Sequence, residues 1–188
     1  MIYPIVVYGH PILRKIAEEI DRDYPGLDQL VNDMFETMYH SDGLGLAAPQ
    51  IGKSIRLFVI DGKPVGEDEP ELADFRQVFI NAHITERSAD LVPMTEGCLS
   101  IPNLREEVQR ESRIKINFYD EKWVYHDEIY EGYKARIIQH EYDHLDGILF
   151  PDKLSPIRKR LLKSKLLAIS KGNFEADYRT ILPGEKIS

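Results

Sequence analysis

The chain has 188 residues, 43% hydrophobic and 30% charged, proportions that suit a soluble globular protein and exclude a disordered one. Lys and Arg number 24 against 32 Asp and Glu, and the net charge of −8 does not favour a nucleic-acid partner. No stretch approaches the roughly 20 apolar residues that span a bilayer. The N-terminal apolar run is too short for a signal peptide, and one cysteine, Cys98, rules out an internal disulfide and suits a reducing compartment. The expectation is one cytoplasmic domain covering 1–188, with neither membrane nor DNA as a partner.

Apolar residues at 27, 30, 31, 34, 35 and 38 form one stripe of an amphipathic helix, punctuated by Pro25 before it and Gly43 after it. "SIRLFVID" predicts a strand, and the acid-rich stretch 66–74 a solvated loop. "QVFINAHIT", "RIKINFYD" and "KWVYHDEIY" predict further strands, the last carrying Trp123 and joined to its predecessor by a hairpin at Asp120–Lys122. Helical spacing returns in "GYKARIIQHEYDHLDG", with Gly147 as its stop. A last helix is predicted over about 155–171, with Ser155 as cap, Pro156 at its first position and Gly172 at its end. Ile157, Leu161, Leu162 and Leu166 are its expected packing face. Helix, several strands and then helices without regular alternation predict an α+β fold, its mostly antiparallel sheet packed around a central helix that carries HExxH.

His140 and His144 lie four apart, so a helix presents both imidazoles to one ion. Glu141 beside the first cannot join them as a ligand without strain, but it can reach a water at the ion. A catalytic site of this type needs a third protein ligand. No glutamate occurs from Leu145 to Phe174, and position 150, where one protease group has histidine, holds Phe150, read here as an ordinary apolar residue. The remaining candidate is Cys98 in "EGCLSIP", since thiolate with imidazole suits zinc or ferrous iron. A lone cysteine is otherwise a small buried hydrophobe or a nucleophile. "GLGLAAPQIG" at 43–52 has little side-chain bulk, so its backbone can approach a ligand closely. Gln50 is its one polar side chain.

Taken together, Gly43-Leu44-Gly45-Leu46-Ala47-Ala48-Pro49-Gln50, Glu96-Gly97-Cys98-Leu99-Ser100 and Gln139-His140-Glu141-Tyr142-Asp143-His144-Leu145 resemble the three motifs of peptide deformylases. The likeness runs from "HPILRKIAEEI" to "LFPDKLSP". It implies a hydrolase that removes the formyl group from the N-terminal formyl-methionine of new polypeptides. By that resemblance Cys98, His140 and His144 hold one divalent ion, ferrous iron in the cell, with zinc, nickel or cobalt in purified protein. Glu141 is the general base and acid, and Gln50 and the Leu99 amide bind the oxyanion. Leu44 and Gly45 pair with the peptide, with Gly43, Glu96 and Gly97 beside them and Arg105 near the groove. Tyr133 and Ile137 are candidates for an apolar methionine pocket, and Arg136 is expected to snorkel to its rim. The basic last helix suggests transient ribosome contact. The competing activity is a zinc endopeptidase with unusual Cys-His-His ligation.

Overall fold

The residues Leu57-Phe58-Val59-Ile60 alternate between two apolar clusters, Phe58 and Ile60 in one, Leu57 and Val59 in the other, as a pleated strand requires. Their antiparallel partners follow suit: Phe79 lies opposite Phe58, while Val78 and Ile80 lie opposite Val59 and Leu57. This strand pair, with Phe58 and Phe79 stacked at 4.5 Å, is the middle of the fold.

The computed structural model describes residues 1–187. Its elements in chain order are β1 (Ile5–Val6), α1 (Leu27–His40), β2 (Gly45–Ala47), β3 (Leu57–Asp61), β4 (Arg76–Arg87), β5 (Leu91–Cys98) and β6 (Ile101–Glu111). There follow β7 (Arg113–Tyr119), β8 (Tyr125–Glu131), α2 (Gly132–Leu145), α3 (Pro156–Ser170) and β9 (Thr180–Ile181). The architecture is α+β. A five-stranded antiparallel sheet has the order β2-β3-β4-β7-β8, β5 and β6 form a separate antiparallel pair, and β1 and β9 pair in parallel.

The two sheet faces are covered by different helices. Leu30, Val31, Met34 and Met38 of α1 pack with Leu57, Val59, Val78 and Ile80. Ala135, Ile138, Tyr142 and Leu145 of α2 pack with Phe58, Phe79, Ile116 and Phe118 on the other side. Each fully buried Leu, Ile or Phe here contributes about 1.5–3 kcal/mol. A third cluster seats Leu162, Leu166 and Ile169 of α3 on Ile101, Leu104 and Val108 of β6, with Phe150 beneath.

Several local features differ from the sequence expectations. The segment 91–111, to which the sequence assigned no element, forms the long β5–β6 hairpin; Pro93, Gly97 and Pro102 weaken its strand signal. Trp123 lies in the β7–β8 turn at φ 59, where its N–H donates to Asp120 O at 2.9 Å. Asp42, not Gly43, takes the left-handed position after α1 (φ 56), as a short polar side chain can. Glycine at 43 instead accommodates Leu99, whose Cδ1 would lie 3.0 Å from an added Cβ. Gly147 does end α2 at φ 70, with the carbonyl of Arg14 only 2.5 Å from where a Cβ would stand. The acidic loop is only partly solvated: Leu72 is fully buried, and Glu71 accepts from the Tyr133 N–H at 3.2 Å, an anion at the start of α2. On α3, Ile157 and Leu161 are 70% and 65% exposed, so the packing face is Leu162, Leu166 and Ile169.

Candidate metal centre

The stripe of α2 that packs on the sheet leaves two others free for polar work. One carries Arg136, His140 and Asp143 towards the β5–β6 hairpin, the other Glu141 and His144 towards β2 and the turn after Cys98. Cys98 Sγ lies 3.5 Å from His144 Nε2. Ligand atoms of Cys98, His140 and His144 all lie within 4.8 Å of one another. Bonds of about 2.0–2.3 Å in a tetrahedral site put neighbouring donors about 3.5 Å apart, so the three side chains fit one divalent ion.

The charge state of His144 suits that role, and at His140 an ion has a ring proton to displace. Burial holds the His144 imidazole well below its usual pKa, which keeps a nitrogen lone pair available. Its Nδ1 is buried without a hydrogen-bond partner among the described residues. His140 donates from Nδ1 to Glu96 Oε1 at 2.8 Å, which fixes its ring and leaves Nε2 for a ligand. Burial disfavours its charge, but the bonds to Cys98 and Glu96 outweigh that and raise its pKa.

Glu141 is 5% exposed, and its Oε2 has no hydrogen-bond partner among the described residues. Burial pushes its pKa up to about 7. A Cβ at position 45 would lie 2.5 Å from Glu141 Oε1, so Gly45 is required by the carboxylate behind it. Gln50, on the 3-10 turn at 48–51, accepts from the Ala47 N–H through Oε1 at 2.9 Å. Its Nε2 donates to Ser100 Oγ at 3.2 Å and lies 3.5 Å from Cys98 Sγ. The carbonyl end is therefore held back and the amide end faces the cluster.

Above these groups opens a cavity of about 700 Å³, lined by Gly43, Leu44, Gly45, Gln50, Glu96, Gly97, Cys98, Leu99, Arg105, Tyr133, Ile137, His140 and Glu141. Of the residues nominated from sequence only His144 is absent from this wall, since it lies beneath, at 1% exposure.

The family model for polypeptide deformylase matches residues 2–160. The chain belongs to that family. It is 50% identical to the peptide deformylase of Christiangramia forsetii, over 99% of this chain and 98% of that one. It is 47% identical to that of Cytophaga hutchinsonii, over 99% and 100%. The crystal structure of peptide deformylase from Thermus thermophilus is 45% identical, covers 92% of this chain and 99% of its own, and superposes with a TM-score of 0.80.

Two members of this deformylase site behave differently from their sequence reading. Arg136 does not snorkel: it is 6% exposed and donates to Glu96 Oε2 at 2.7 Å, to Val108 O at 2.8 Å and to Val92 O. Glu96 does border the cavity, yet both its oxygens are engaged. Oε1 accepts from His140 and Arg110, and Oε2 from Arg110 and Arg136. Burial raises a carboxyl pKa, but the bonds to His140 and Arg110 outweigh it and hold Glu96 well below the usual range. It stays ionised and cannot serve as a free substrate acceptor.

Sequence reading missed Arg110, which is 1% exposed. It bonds Glu96 through Nε at 2.6 Å and Asp143 through Nη1 at 2.7 Å. The available signal was its parity with Leu104 and Val108, a cation on the apolar face of a strand. Ser100, the last residue of the second motif, was given no role, and Tyr178 was missed, with nothing in its local sequence to mark it.

Proposed function

We propose that the chain is a peptide deformylase, one catalytic domain that hydrolyses the formamide of N-formyl-methionyl polypeptides in the cytoplasm. The observation that carries this reading is the convergence of Cys98 with His140 and His144 beside the buried Glu141. A divalent ion held by those three residues would act as a Lewis acid and lower the pKa of water towards about 7. A sulfur with two imidazoles suits ferrous iron and zinc alike, and ferrous iron is the cellular ion of this proposal.

Glu141 takes the proton from the water that attacks the formyl carbon and delivers it to the departing amine. Its pKa near 7 suits both directions at neutral pH. Gln50 Nε2 and the Leu99 N–H stabilise the oxyanion, each donor being worth about 3–4 kcal/mol in comparable sites. Leu44 and Gly45 offer backbone groups to the peptide, and Gly43 and Gly97 leave room beside it. Leu44, Tyr133 and Ile137 give the cavity an apolar wall for the methionine thioether. Arg105, exposed at the groove, meets the downstream peptide. Glu96 serves this site indirectly, by orienting His140.

The basic outer face of α3, with exposed Arg160, Lys163 and Lys165 beside exposed Ile157 and Leu161, supports a ribosome contact that brings the enzyme to new chains. Among the described residues no helix is long and apolar enough to cross a membrane.

The test is turnover of a formyl-Met peptide beside its unformylated counterpart. Glu141→Ala is expected to keep bound metal and lower kcat about 10²–10⁴-fold, and chelation to abolish turnover. Comparable cleavage of internal bonds in the unformylated peptide would establish an endopeptidase instead. Activity that survives chelation would make Cys98 a nucleophile.

A further inference from the structure

The turn that carries the Leu99 amide is gripped from outside the three motifs. Cys98 and Ile101 are paired across the end of the β5–β6 hairpin, so Leu99 and Ser100 are a two-residue turn with carbonyls outside the ladder. Ser100 O accepts from the Tyr8 N–H at 2.8 Å. Leu99 O accepts from the Tyr178 hydroxyl, also at 2.8 Å.

Tyr178 belongs to the tail that follows α3, beyond residue 160 where the family match stops. That tail is anchored at both ends of its approach. Asn103 and Glu175 exchange two bonds, Asn103 Nδ2 to Glu175 O at 3.0 Å and Glu175 N to Asn103 Oδ1 at 2.9 Å. Two residues after Tyr178, β9 pairs with β1, which leads directly to Tyr8. The Tyr178 ring is half-buried against the α1 cluster and borders the cavity, so its hydroxyl has a fixed origin.

We propose that Tyr178 is a positioning residue for the oxyanion donor at Leu99. The Leu99 N–H lies in the peptide unit before the Leu99 carbonyl. With Cys98 held in the ladder on one side and that carbonyl held by Tyr178 on the other, the φ and ψ between them, and so the direction of the N–H, are restricted. An oxyanion donor works by being aimed before charge develops, and without Tyr178 the Leu99 carbonyl, outside the ladder, would leave that residue free to rock. The tail, beyond the residues that the family model matches, thus acts as a strap on the active-site turn. This inference rests on the deformylase reading of the site.

Tyr178→Phe removes the hydroxyl and keeps the ring. Loss of a whole oxyanion donor costs about 10²–10³ in kcat. A loosened donor is therefore expected to cost about tenfold in kcat, with KM held within about twofold. Metal content and Tm should match the parent, and hydrogen exchange should quicken at residues 97–101 alone. Asn103→Gly, which frees the tail upstream and tolerates the positive φ of position 103, should lower kcat in the same direction by less. Unchanged kcat and exchange in Tyr178→Phe would overturn the inference while leaving parental deformylation intact. A fall in kcat that tracks losses of Tm and metal would overturn it equally, by reducing Tyr178 to a structural role. A rise in KM with kcat unchanged in Tyr178→Phe would make Tyr178 a substrate contact and overturn the positioning role. If the parent protein failed to deformylate the formyl-Met peptide, the functional reading would fall and this inference with it.

Discussion

Helices α2 and α3 have 14 and 15 residues, and both are rich in charge, yet they place it in opposite environments. In α2, Arg136, Glu141, Asp143 and His144 are all buried. In α3, Arg158, Lys159, Arg160, Lys163 and Lys165 are all exposed, and only Leu162, Leu166 and Ile169 are covered. The helices do not differ in propensity so much as in what faces them. Against α2 the hairpin presents Glu96, Arg110 and the carbonyls of Val92, Val108 and Glu111. Against α3 the same hairpin presents Leu104 and Val108. Each buried ion loses several kcal/mol of hydration, so a network of this kind is intelligible where it orients something, and here it orients His140.

The contrast can be broken most severely at Arg110. Arg110→Met leaves Glu96 and Asp143 buried with part of their partnership gone, a change expected to cost about 3–5 kcal/mol of stability. Chemical denaturation would measure it, and a loss under about 1 kcal/mol would mean that the network is not the reason α2 tolerates its charge. Reversal of α3 charges, Arg160→Glu with Lys163→Glu, should change stability by less than about 1 kcal/mol, because exposed charges are screened. The same variant is expected to lose co-sedimentation with ribosomes while keeping turnover of a short formyl-Met peptide. Retained co-sedimentation would remove the ribosome contact from the proposal.

An ion pair in the β7–β8 hairpin sharpens the comparison with the smallest effect. His126 Nε2 lies 2.8 Å from Asp120 Oδ2, the two side chains 25% and 16% exposed. The Asp120 bond raises the His126 pKa above its usual 6.5. Its stabilisation is therefore fully present below about pH 6.5 and is lost as pH rises through the folded-state pKa. Titration by NMR should place His126 above 6.5, and Asp120→Asn should lower it, with Glu128 at 3.0 Å from Nδ1 keeping part of the rise. The accompanying stability difference is expected to stay below about 1 kcal/mol near pH 6 and to vanish near pH 9.

Legibility followed the range of the interaction. The α1 stripe, the β-branched and aromatic run of β3 and the i, i+4 histidines are patterns within one element, and residue order carries them. The β5–β6 hairpin was not legible, because Pro93, Gly97 and Pro102 weaken its strand signal and cross-strand pairing supplies what propensity lacks. Arg136 was misread for a related reason: a cation on a helix belongs at the surface unless a partner faces it, and its partners lie on β5 and β6. On α3, residues 157 and 161 and residues 162, 166 and 169 both obey helical spacing, so the covered stripe depended on where β6 lies.

The sequence by itself determined the chemical inventory: two imidazoles and a carboxylate on one helix, one thiol, and a loop too small to obstruct them. Those follow from residue identity and local periodicity. Tertiary structure alone decided which groups those residues meet. It placed Glu141 against Gly45, engaged Glu96 with two arginines and His140, and brought the Tyr178 hydroxyl to Leu99. These contacts join segments far apart in the chain, and no local pattern encodes a partner whose position depends on sheet order and strand register.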